Sequence, residues 1–284
     1  MKIVRYLTGL LLLVICTAVP AQTRLKLEVY TSPASGFSVN STLVYGEKDA
    51  ILIDTQFLLS EAHHLVAKIL ETGMQLKTVY VTHPHPDHYF GIAVIRQAFP
   101  DAKFVALPDV VEGIRQGWEA RYNFWKKNYG HNLPTTGPIL PEPLSGTTLD
   151  LDGQKLEITG GVEGDGPDNS FVWIPSLRAV IAGDILFSGT HFVVPKDHTR
   201  WDRTIAMIKA LHPKIVIPGH QIPGAPRDAS VLDFMQNYMR DFDAAVAGSK
   251  SATEVQSLMK DKYPGLGLEM LLTVGSRAAF APAR

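Results

Sequence analysis

Three histidines and one aspartate lie close together in the segment His83–His88, whose sequence is HPHPDH. In an extended segment the side chains at i and i+2 point to the same side, so His83 and His85 can converge on one cation. The turn that follows can bring Asp87 and His88 to a second cation. Imidazole and carboxylate groups are common protein ligands of divalent metals. The spacing therefore predicts a metal-binding loop, and the alternative is a polar loop that is merely rich in histidine.

Two later segments each place one more metal-competent side chain directly after an apolar run. Asp184 follows Ala182-Gly183, and its carboxylate can lie between two cations as a bridging ligand. His220 follows the run at 215–219 and can add an imidazole. The alternatives are a turn or helix-capping aspartate and a buried structural histidine. Because one loop cannot complete two coordination spheres, we expect both side chains to join it.

Strands and helices alternate along the chain in two halves, and this alternation must position the metal-competent side chains. Buried strands are predicted directly before each of these sites, at 77–82, 179–182 and 214–218. A second set of strands after the first set of helices predicts an α/β protein with two mixed sheets and helices outside, a four-layer αββα sandwich. The site is expected at the loop edge where both halves present strand ends. No linker interrupts residues 22–284, which predicts a single domain.

The His83–His88 loop, the later Gly-Asp and the Pro-Gly-His together resemble the metallo-β-lactamase fold superfamily of metal-dependent hydrolases. The resemblance extends from about Leu25 to His220 and implies a dinuclear metal site. Asp54 is similar to the superfamily's early strand-end aspartate, which usually supports the metal loop. The ligands that the resemblance implies are His83 and His85 for the first metal, Asp87, His88 and His220 for the second, and Asp184 as the bridge between them.

One expected ligand departs from the superfamily pattern. The superfamily usually places a third first-site histidine between the two halves, whereas the corresponding segment 161–170 contains no histidine. Aligning Asp168-Asn169 with the superfamily motif puts Asp165 at the position of that histidine. We therefore expect Asp165 to complete the first site. The alternatives are that Glu163 or Asp168 reaches the metal instead, or that the first site is weak or vacant.

The resemblance also implies a cofactor and a reaction. Two divalent metal ions are expected, with Zn²⁺ as the default, and the carboxylate of Asp165 makes the first site more tolerant of Mn²⁺ or Fe²⁺. A metal-bound hydroxide would attack the carbonyl of an ester, lactone, thioester or β-lactam, and Asp87 would protonate the leaving group if it is free to act. Lactonase or esterase activity is favoured over β-lactamase activity, because Asp165 is not the usual pattern of efficient β-lactamases. The alternatives are an iron-dependent redox enzyme of the same fold and a metal-binding protein whose catalysis has lapsed.

Two further segments bear on substrate binding. His191 follows Asp184 by a few residues and is expected to line the substrate pocket, the alternative being a histidine in a surface loop. The predicted helix that carries the aromatic residues of Trp118–Tyr129 stands where a lid would cover the metal loop, and simple core packing is the alternative. An aromatic lid favours an apolar or ring-bearing substrate.

The first 21 residues predict a secretory signal peptide. Lys2 and Arg5 precede an apolar run at 7–19, and cleavage is expected after Ala21. The alternative is an uncleaved membrane anchor, which is disfavoured because the run is shorter than the roughly 20 residues that span a bilayer. We therefore expect a secreted, periplasmic protein with no stable membrane anchor after cleavage.

Cysteine content and net charge exclude several other classes of chemistry. The one cysteine, Cys16, lies in the predicted signal peptide, so the mature chain has no disulfide, thiolate ligand or thiol nucleophile. Any metal must therefore be bound by His, Asp or Glu. A formal net charge of −1 gives no general attraction for nucleic acid. The expected partner is a small-molecule substrate, and no oligomeric state is indicated.

Overall fold

The computed structural model describes residues 24–282, and the predicted signal peptide lies outside this range. The first half of the chain forms a six-stranded mixed sheet whose strands follow sequence order. The strands are β1 (Lys26–Thr31), β2 (Asn40–Tyr45), β3 (Asp49–Ile53), β4 (Gln75–Val81), β5 (Lys103–Ala106) and β6 (Glu142–Pro143). β1, β2 and β3 pair antiparallel, whereas β3, β4, β5 and β6 pair parallel. The carboxyl ends of β3, β4 and β5 therefore lie at one edge.

The second half of the chain forms a second sheet and a short ribbon. The strands are β7 (Thr148–Leu151), β8 (Gln154–Val162), β9 (Asn169–Ile174), β10 (Ala179–Ile181), β11 (Phe187–Ser188), β12 (Ile215–Ile217) and β13 (His220–Gln221). The sheet has the order β12-β10-β9-β8-β7 and is antiparallel except for the parallel pair β10 and β12. β11 and β13 form a separate parallel ribbon.

Helices cover the outer face of each sheet. They are α1 (Leu59–Thr72), α2 (Pro86–Tyr89), α3 (Ile92–Ala98), α4 (Pro108–Tyr129), α5 (Thr199–Ala210), α6 (Ser230–Gly248), α7 (Ala252–Lys262) and α8 (Glu269–Ala279). α1 shows how the sequence specifies them, because Ala62, Leu65 and Ile69 recur at helical spacing and form its buried face. The helix ends at Gly73, whose φ of 69° suits a glycine.

Alternate residues of each strand face opposite sides of its sheet, and this alternation separates the layers. In β3, Ala50 and Leu52 join the hydrophobic cluster under α1, α3 and α4. Ile51 and Ile53 face the other way and join the cluster between the two sheets. The inward faces of the two sheets therefore pack directly against each other.

The second sheet repeats this division with its own helices. Val172 of β9 belongs to the cluster between the sheets. Its neighbour Phe171 belongs to the outer cluster, where Trp201 of α5 and Met235 of α6 are also buried. The layers run helices, sheet, sheet, helices, which confirms the predicted four-layer αββα sandwich.

α2 ends at Tyr89 and α3 begins at Ile92, so the helical segment after the metal loop is interrupted near Gly91. A Cβ on Gly91 would lie 1.8 Å from the carbonyl oxygen of Thr55, so this close approach to the segment after β3 requires glycine. No helix within residues 24–282 is both long and apolar enough to cross a membrane.

Candidate metal centre

The His83–His88 loop begins where β4 ends, and Asp54 holds it from the neighbouring end of β3. β3 and β4 are parallel, so their carboxyl ends lie side by side. The Asp54 carboxylate accepts hydrogen bonds from the backbone N–H of Thr82 (2.8 Å) and from its hydroxyl (2.9 Å). Nδ1 of His88 lies 2.8 Å from the same carboxylate. Asp54 is buried and therefore supports the loop from inside the fold.

Hydrogen bonds determine which ring nitrogen each buried histidine presents to the site. His88 donates from Nδ1 to the Asp54 carboxylate, so its other ring nitrogen, Nε2, faces the candidate centre. The Thr82 hydroxyl donates to that carboxylate and so accepts from Nδ1 of His83 at 2.9 Å. Nδ1 of His220 lies 2.7 Å from the carbonyl oxygen of Phe37 and donates to it. Three imidazoles thus aim Nε2 towards the same region.

The first candidate ligand group consists of His83, His85, Asp165 and Asp184, whose ligand atoms all lie within 4.8 Å of one another. Nδ1 of His85 lies 3.0 Å from Oδ2 of Asp165 and 3.5 Å from Oδ2 of Asp184. Nε2 of His83 lies 3.2 Å from the same Asp184 oxygen. Two imidazoles and two carboxylates can therefore surround one cation.

The second candidate ligand group consists of Asp87, His88, Asp184 and His220, again within 4.8 Å. Oδ1 of Asp184 lies 2.9 Å from Nε2 of His88 and 3.1 Å from Nε2 of His220. Oδ2 of Asp87 lies 3.4 Å from Nε2 of His220. Asp184 thus turns one oxygen towards each group, which is the arrangement of a bridging carboxylate.

Unpaired buried atoms show that these residues fit metal ions. Buried polar side-chain atoms are normally hydrogen-bonded, and each exception needs an explanation. Four atoms of the two groups are buried without a hydrogen-bond partner, namely His83 Nε2, His88 Nε2, Asp165 Oδ1 and Asp184 Oδ1. Each of them is a nitrogen or oxygen of the kind that binds Zn²⁺, Mn²⁺ or Fe²⁺. Divalent cations would satisfy all four atoms together.

Burial and neighbouring charges shift the pKa values within the two groups. Burial opposes ionisation of Asp184, but the surrounding imidazoles, His220 foremost, hold the pKa of this carboxyl well below its usual range. Burial also acts to lower the pKa of His85, yet the carboxylates of Asp165 and Asp184 raise it to about 10. Burial lowers the pKa of His83. Asp184 is therefore ionised at neutral pH, and the site attracts positive charge.

Two glycines leave the space that Asp184 occupies. A Cβ on Gly219 would lie 2.2 Å from Oδ1 of Asp184 and 2.6 Å from the backbone of Gly183. Gly183 has a φ of 49°, and a Cβ there would lie 2.7 Å from the Thr82 hydroxyl. The N–H of Gly219 donates to the carbonyl oxygen of Gly183 at 2.8 Å. The glycines of the Gly-Asp and Pro-Gly-His segments thus allow the two strand ends to meet.

Asp165 is predicted for the first group, with Glu163 and Asp168 as alternatives, and the structure brings Asp165 to it. The backbone N–H of Asp165 donates to the carbonyl oxygen of Asp184 at 3.1 Å, which places its side chain beside that group. Glu163 instead pairs with Arg200 at 3.4 Å. Asp168 belongs to neither ligand group. The geometry therefore favours Asp165 over both alternatives.

His191 lies in different surroundings from those predicted. Its side chain is buried, and Nδ1 lies 2.8 Å from the hydroxyl of Tyr238. Burial lowers the pKa of His191 to about 4. The residue does not line the cleft over the ligand groups, so its position does not support the predicted contact with substrate. The prediction relied on the closeness of His191 to Asp184 in the sequence, which gives no sign that Tyr238 of α6 packs against the ring.

A cleft of about 260 Å³ opens over both ligand groups. Five of the candidate ligands line it, namely His85, Asp87, Asp165, Asp184 and His220. The other lining residues are Phe37, Pro86, Arg121, Trp125, Phe187, Val193, Met270 and Leu271. The cleft therefore combines a charged base with largely apolar walls, as small-molecule sites do.

The aromatic helix α4 contributes to both the cleft and the core. Trp125 lines the cleft, where its ring centroid lies 5.1 Å from that of Phe37. Trp118 packs inward, with its ring centroid 4.9 Å from that of Phe90. Arg121, between them, is a cleft residue that the sequence analysis did not identify. The spacing of Gly113, Gly117 and Arg121 on one helical face is the sequence signal that could have indicated it.

The family model described as "Metallo-beta-lactamase superfamily" matches residues 34–220, a span that contains every candidate ligand. This match covers more than half of the chain, and the two ligand groups lie within it. The protein therefore belongs to the metallo-beta-lactamase superfamily.

Two relatives are similar in sequence to parts of this chain. A hydroxyacylglutathione hydrolase from Albidiferax ferrireducens is 36% identical over 56 residues, which span only 20% of this chain and 20% of that protein. A hydroxyacylglutathione hydrolase GloC from Haemophilus influenzae is 26% identical over 171 residues, covering 55% of this chain and 71% of that protein.

Solved structures similar to this one share its fold. A beta-lactamase domain protein from Burkholderia ambifaria has a TM-score of 0.63 at 16% identity, covering 93% of this chain and 88% of that chain. A metallo-beta-lactamase family protein from Thermus thermophilus has a TM-score of 0.60 at 19% identity, covering 89% of this chain and 91% of that chain. At these identities the likeness concerns the fold alone.

Proposed function

We propose that the protein is a metal-dependent hydrolase with a dinuclear centre that cleaves carboxylic esters, lactones or thioesters. The observation that carries the proposal is the sharing of Asp184 between two ligand groups at the base of one cleft. A pair of divalent cations, when bound there, supplies Lewis-acid polarisation of a carbonyl and activation of water. Zn²⁺ is the proposed metal, with Mn²⁺ or Fe²⁺ as alternatives because carboxylates contribute to both groups.

The chain's own residues have distinct parts in this proposal. His83, His85 and Asp165 would hold the first cation, and Asp184 would offer one carboxylate oxygen to each ligand group. Asp87 has a partly exposed carboxylate on the cleft surface, with one oxygen facing His220. We assign Asp87 both to the second ligand group and to proton transfer to the leaving group.

The walls of the cleft favour substrates with an apolar acyl or alcohol part. Trp125, Phe187 and Leu271 provide such surfaces beside the ligand groups. Two relatives are named hydroxyacylglutathione hydrolases, and a hydroxyacylglutathione is a thioester. The apolar walls support an acyl substrate with an apolar part, and the names of the two relatives support a thioester in particular. The predicted signal peptide supports a periplasmic location for the reaction.

The test combines metal analysis with a substrate panel. Elemental analysis of the purified protein should find two metal ions per chain, and chromogenic ester, lactone and thioester substrates should be turned over faster than a β-lactam. Asp165→Asn should lose about one metal ion and most of the turnover. Asp168→Asn is the matched control, because it makes the same change in the same loop at a residue outside both groups.

Three results would contradict the proposal in different ways. Two metal ions without turnover on any substrate would indicate a metal-binding protein. Equal metal content in Asp165→Asn and the native chain would remove Asp165 from the first group. Oxygen consumption by the iron-loaded protein, without hydrolysis, would favour redox chemistry.

A further inference from the structure

Arg121 lies at the point where α4 approaches the metal loop, and two glycines allow this approach. Gly113, Gly117 and Arg121 follow one another at intervals of four residues and so share one face of the helix. A Cβ on Gly113 would lie 2.9 Å from the ring of Pro84, which stands between His83 and His85. A Cβ on Gly117 would lie 2.7 Å from the guanidinium of Arg121. The guanidinium thus occupies space that any larger residue at 117 would fill.

A hydrogen bond holds the guanidinium of Arg121 in place, and further N–H donors of the same group remain available. One of its nitrogens donates to the carbonyl oxygen of Pro84. The same group lies close to Tyr89. Burial raises the pKa of the Tyr89 phenol, and the positive charge of Arg121 opposes that rise. A guanidinium has five N–H donors in a fixed plane, so donors remain for a ligand in the cleft that Arg121 lines.

The carboxylates around the cleft make the positive charge of Arg121 important for any anionic ligand. Three carboxylates line the cleft, from Asp87, Asp165 and Asp184. The carboxylate of Asp165 stands where the superfamily pattern has a neutral histidine, so the site carries one more negative charge than that pattern gives. Among the described residues that line the cleft, Arg121 is the only lysine or arginine. It is therefore the group on the cleft wall best suited to attract an anion.

We propose that Arg121 is the anion-binding residue of the cleft and that the substrate is an apolar ester or thioester bearing a free carboxylate. The inference rests on the proposed function and adds the substrate's charge to it. The acyl bond lies over the two ligand groups, the apolar part contacts Trp125, and the carboxylate pairs with the guanidinium. A carboxylate bound in this way forms charge-assisted, bidentate hydrogen bonds.

The kinetic test compares two substrates that differ at one carboxyl group. The mono-p-nitrophenyl half-ester of terephthalate carries a free carboxylate that cannot reach its own ester carbonyl, and its methyl-capped diester is neutral. The metal-loaded native protein should prefer the half-ester in kcat/KM. Arg121→Gln should lower the ratio of the two kcat/KM values by about 10- to 100-fold, the range expected for a charge-assisted pair. Arg121→Lys should restore part of the ratio, since it keeps the charge but not the bidentate geometry.

Arg115→Gln is the matched control for the charge on α4. Arg115 lies on the same helix, is exposed, and pairs with Glu112. Its removal should leave the ratio unchanged. An equal fall in this variant would show that the preference comes from the general field of the helix, and it would overturn the inference.

Two further results would overturn it. If Arg121→Gln lowers both kcat/KM values equally and metal content falls with them, Arg121 only positions the loop through Pro84. If the native protein does not prefer the half-ester, the cleft does not select a carboxylate.

A binding measurement tests the anion site independently of the proposed hydrolysis. Calorimetry of the metal-loaded protein with 4-phenylbutyrate and 4-phenylbutyramide requires no turnover. Tighter binding of the carboxylate by the native protein than by Arg121→Gln supports the anion site, even if no ester is hydrolysed and the proposed function fails. Equal affinities for the two probes would overturn the anion site while leaving hydrolysis to be judged by the substrate panel.

Discussion

At the scale of single residues, the candidate centre depends on groups that touch no substrate. Asp54 connects the end of β3 to two positions of the metal loop, Thr82 and His88. Residues that orient metal ligands in this way typically affect metal affinity by about 10- to 100-fold. Asp54 has a φ of 62°, a left-handed conformation that asparagine also tolerates. The charge of this side chain can therefore be removed without straining the backbone.

Asp54→Asn should weaken metal binding to the second ligand group by about 10- to 100-fold. The amide cannot accept all three hydrogen bonds, so the ring of His88 loses its fixed orientation. Titration of the metal-free protein with Zn²⁺ in the presence of a competing chelator measures the effect. Asp49→Asn is the control, since Asp49 lies on the same strand but only pairs with Lys77 at 3.8 Å. An unchanged affinity in Asp54→Asn would exclude this supporting role.

Gly219→Ala should disturb the shared ligand Asp184. The new methyl group would lie 2.2 Å from Oδ1, so either the carboxylate or the backbone must move. We expect a loss of stability of about 1–3 kcal/mol, typical of overpacking, together with loss of metal from both groups. Chemical denaturation and elemental analysis measure the two effects. Gly248→Ala, where a Cβ would meet nothing within 4 Å, should show neither effect.

The sequence was informative about residues whose partners lie close along the chain or at strand ends. The His83–His88 loop could be predicted because its spacing alone brings the side chains together. The choice among Asp165, Glu163 and Asp168 could not, since it depends on a backbone hydrogen bond to Asp184 and on an ion pair with Arg200. The position of His191 likewise depends on packing against a helix far along the chain.

At the scale of elements, α4 links the core to the cleft wall. Its buried residues Val110, Val111 and Ile114 anchor the first half of the helix. The second half carries Arg121 and Trp125 over the candidate centre. Its hydrophobic periodicity predicted this helix. Which of its residues face the core and which face the cleft depends on where the metal loop approaches the helix, and no local pattern shows that.

Trp125→Ala should weaken the binding of substrates with aromatic acyl groups. The ring provides much of one apolar wall, so KM for a phenylacetyl ester should rise by about tenfold, and KM for the acetyl ester should rise less. Steady-state kinetics on the two esters tests this. Phe124→Ala is the control, because Phe124 is 66% exposed and does not line the cleft. Equal changes for both esters would indicate a disturbed fold instead of a lost contact.

The junction of α5 and α6 should make stability depend on pH. Nδ1 of His198 lies 2.7 Å from Asp202 and Nε2 lies 2.9 Å from Asp243. Partial burial acts to lower the pKa of His198, but the two carboxylates raise it above its ordinary value. The stabilising contribution is therefore fully present below the unfolded pKa of about 6.5 and is lost as pH rises through the higher folded value.

His198→Gln should lower the free energy of unfolding by about 0.5–1 kcal/mol at roughly pH 6 and by much less at roughly pH 9. Urea denaturation at the two pH values measures the difference. His63→Gln, at an exposed position on α1, should show no such dependence. A loss that is larger at high pH would contradict the sign of the linkage.

At the scale of the whole molecule, the two sheets are joined directly behind the candidate centre. The hydroxyl of Ser170 in β9 donates to the carbonyl oxygen of Thr82 at 2.6 Å and accepts from Tyr80 of β4 at 2.7 Å. All three residues are buried. This hydrogen-bonded joint lies where the metal loop begins, so the packing of the two halves and the geometry of the loop are coupled. The layered fold follows from local periodicity, but this contact spans 88 residues and no local pattern predicts it.

Ser170→Ala should lower the free energy of unfolding by about 1–3 kcal/mol, because it leaves the buried hydroxyl of Tyr80 without a partner. The double variant Ser170→Ala/Tyr80→Phe removes that hydroxyl and should recover part of the loss. Denaturation of the native chain, both single variants and the double variant gives the coupling energy. Strictly additive losses would show that the two hydroxyls act independently.

Within the described part of the chain, no member of either ligand group lies between residues 89 and 164. The helix that carries Arg121 and Trp125 falls inside that interval. The cleft residues of α4 and the ligand residues are therefore encoded in separate stretches. Substitutions confined to this helix are expected to alter what the cleft accepts while leaving every candidate ligand side chain unchanged. A library of α4 variants would therefore explore selectivity without replacing any ligand residue.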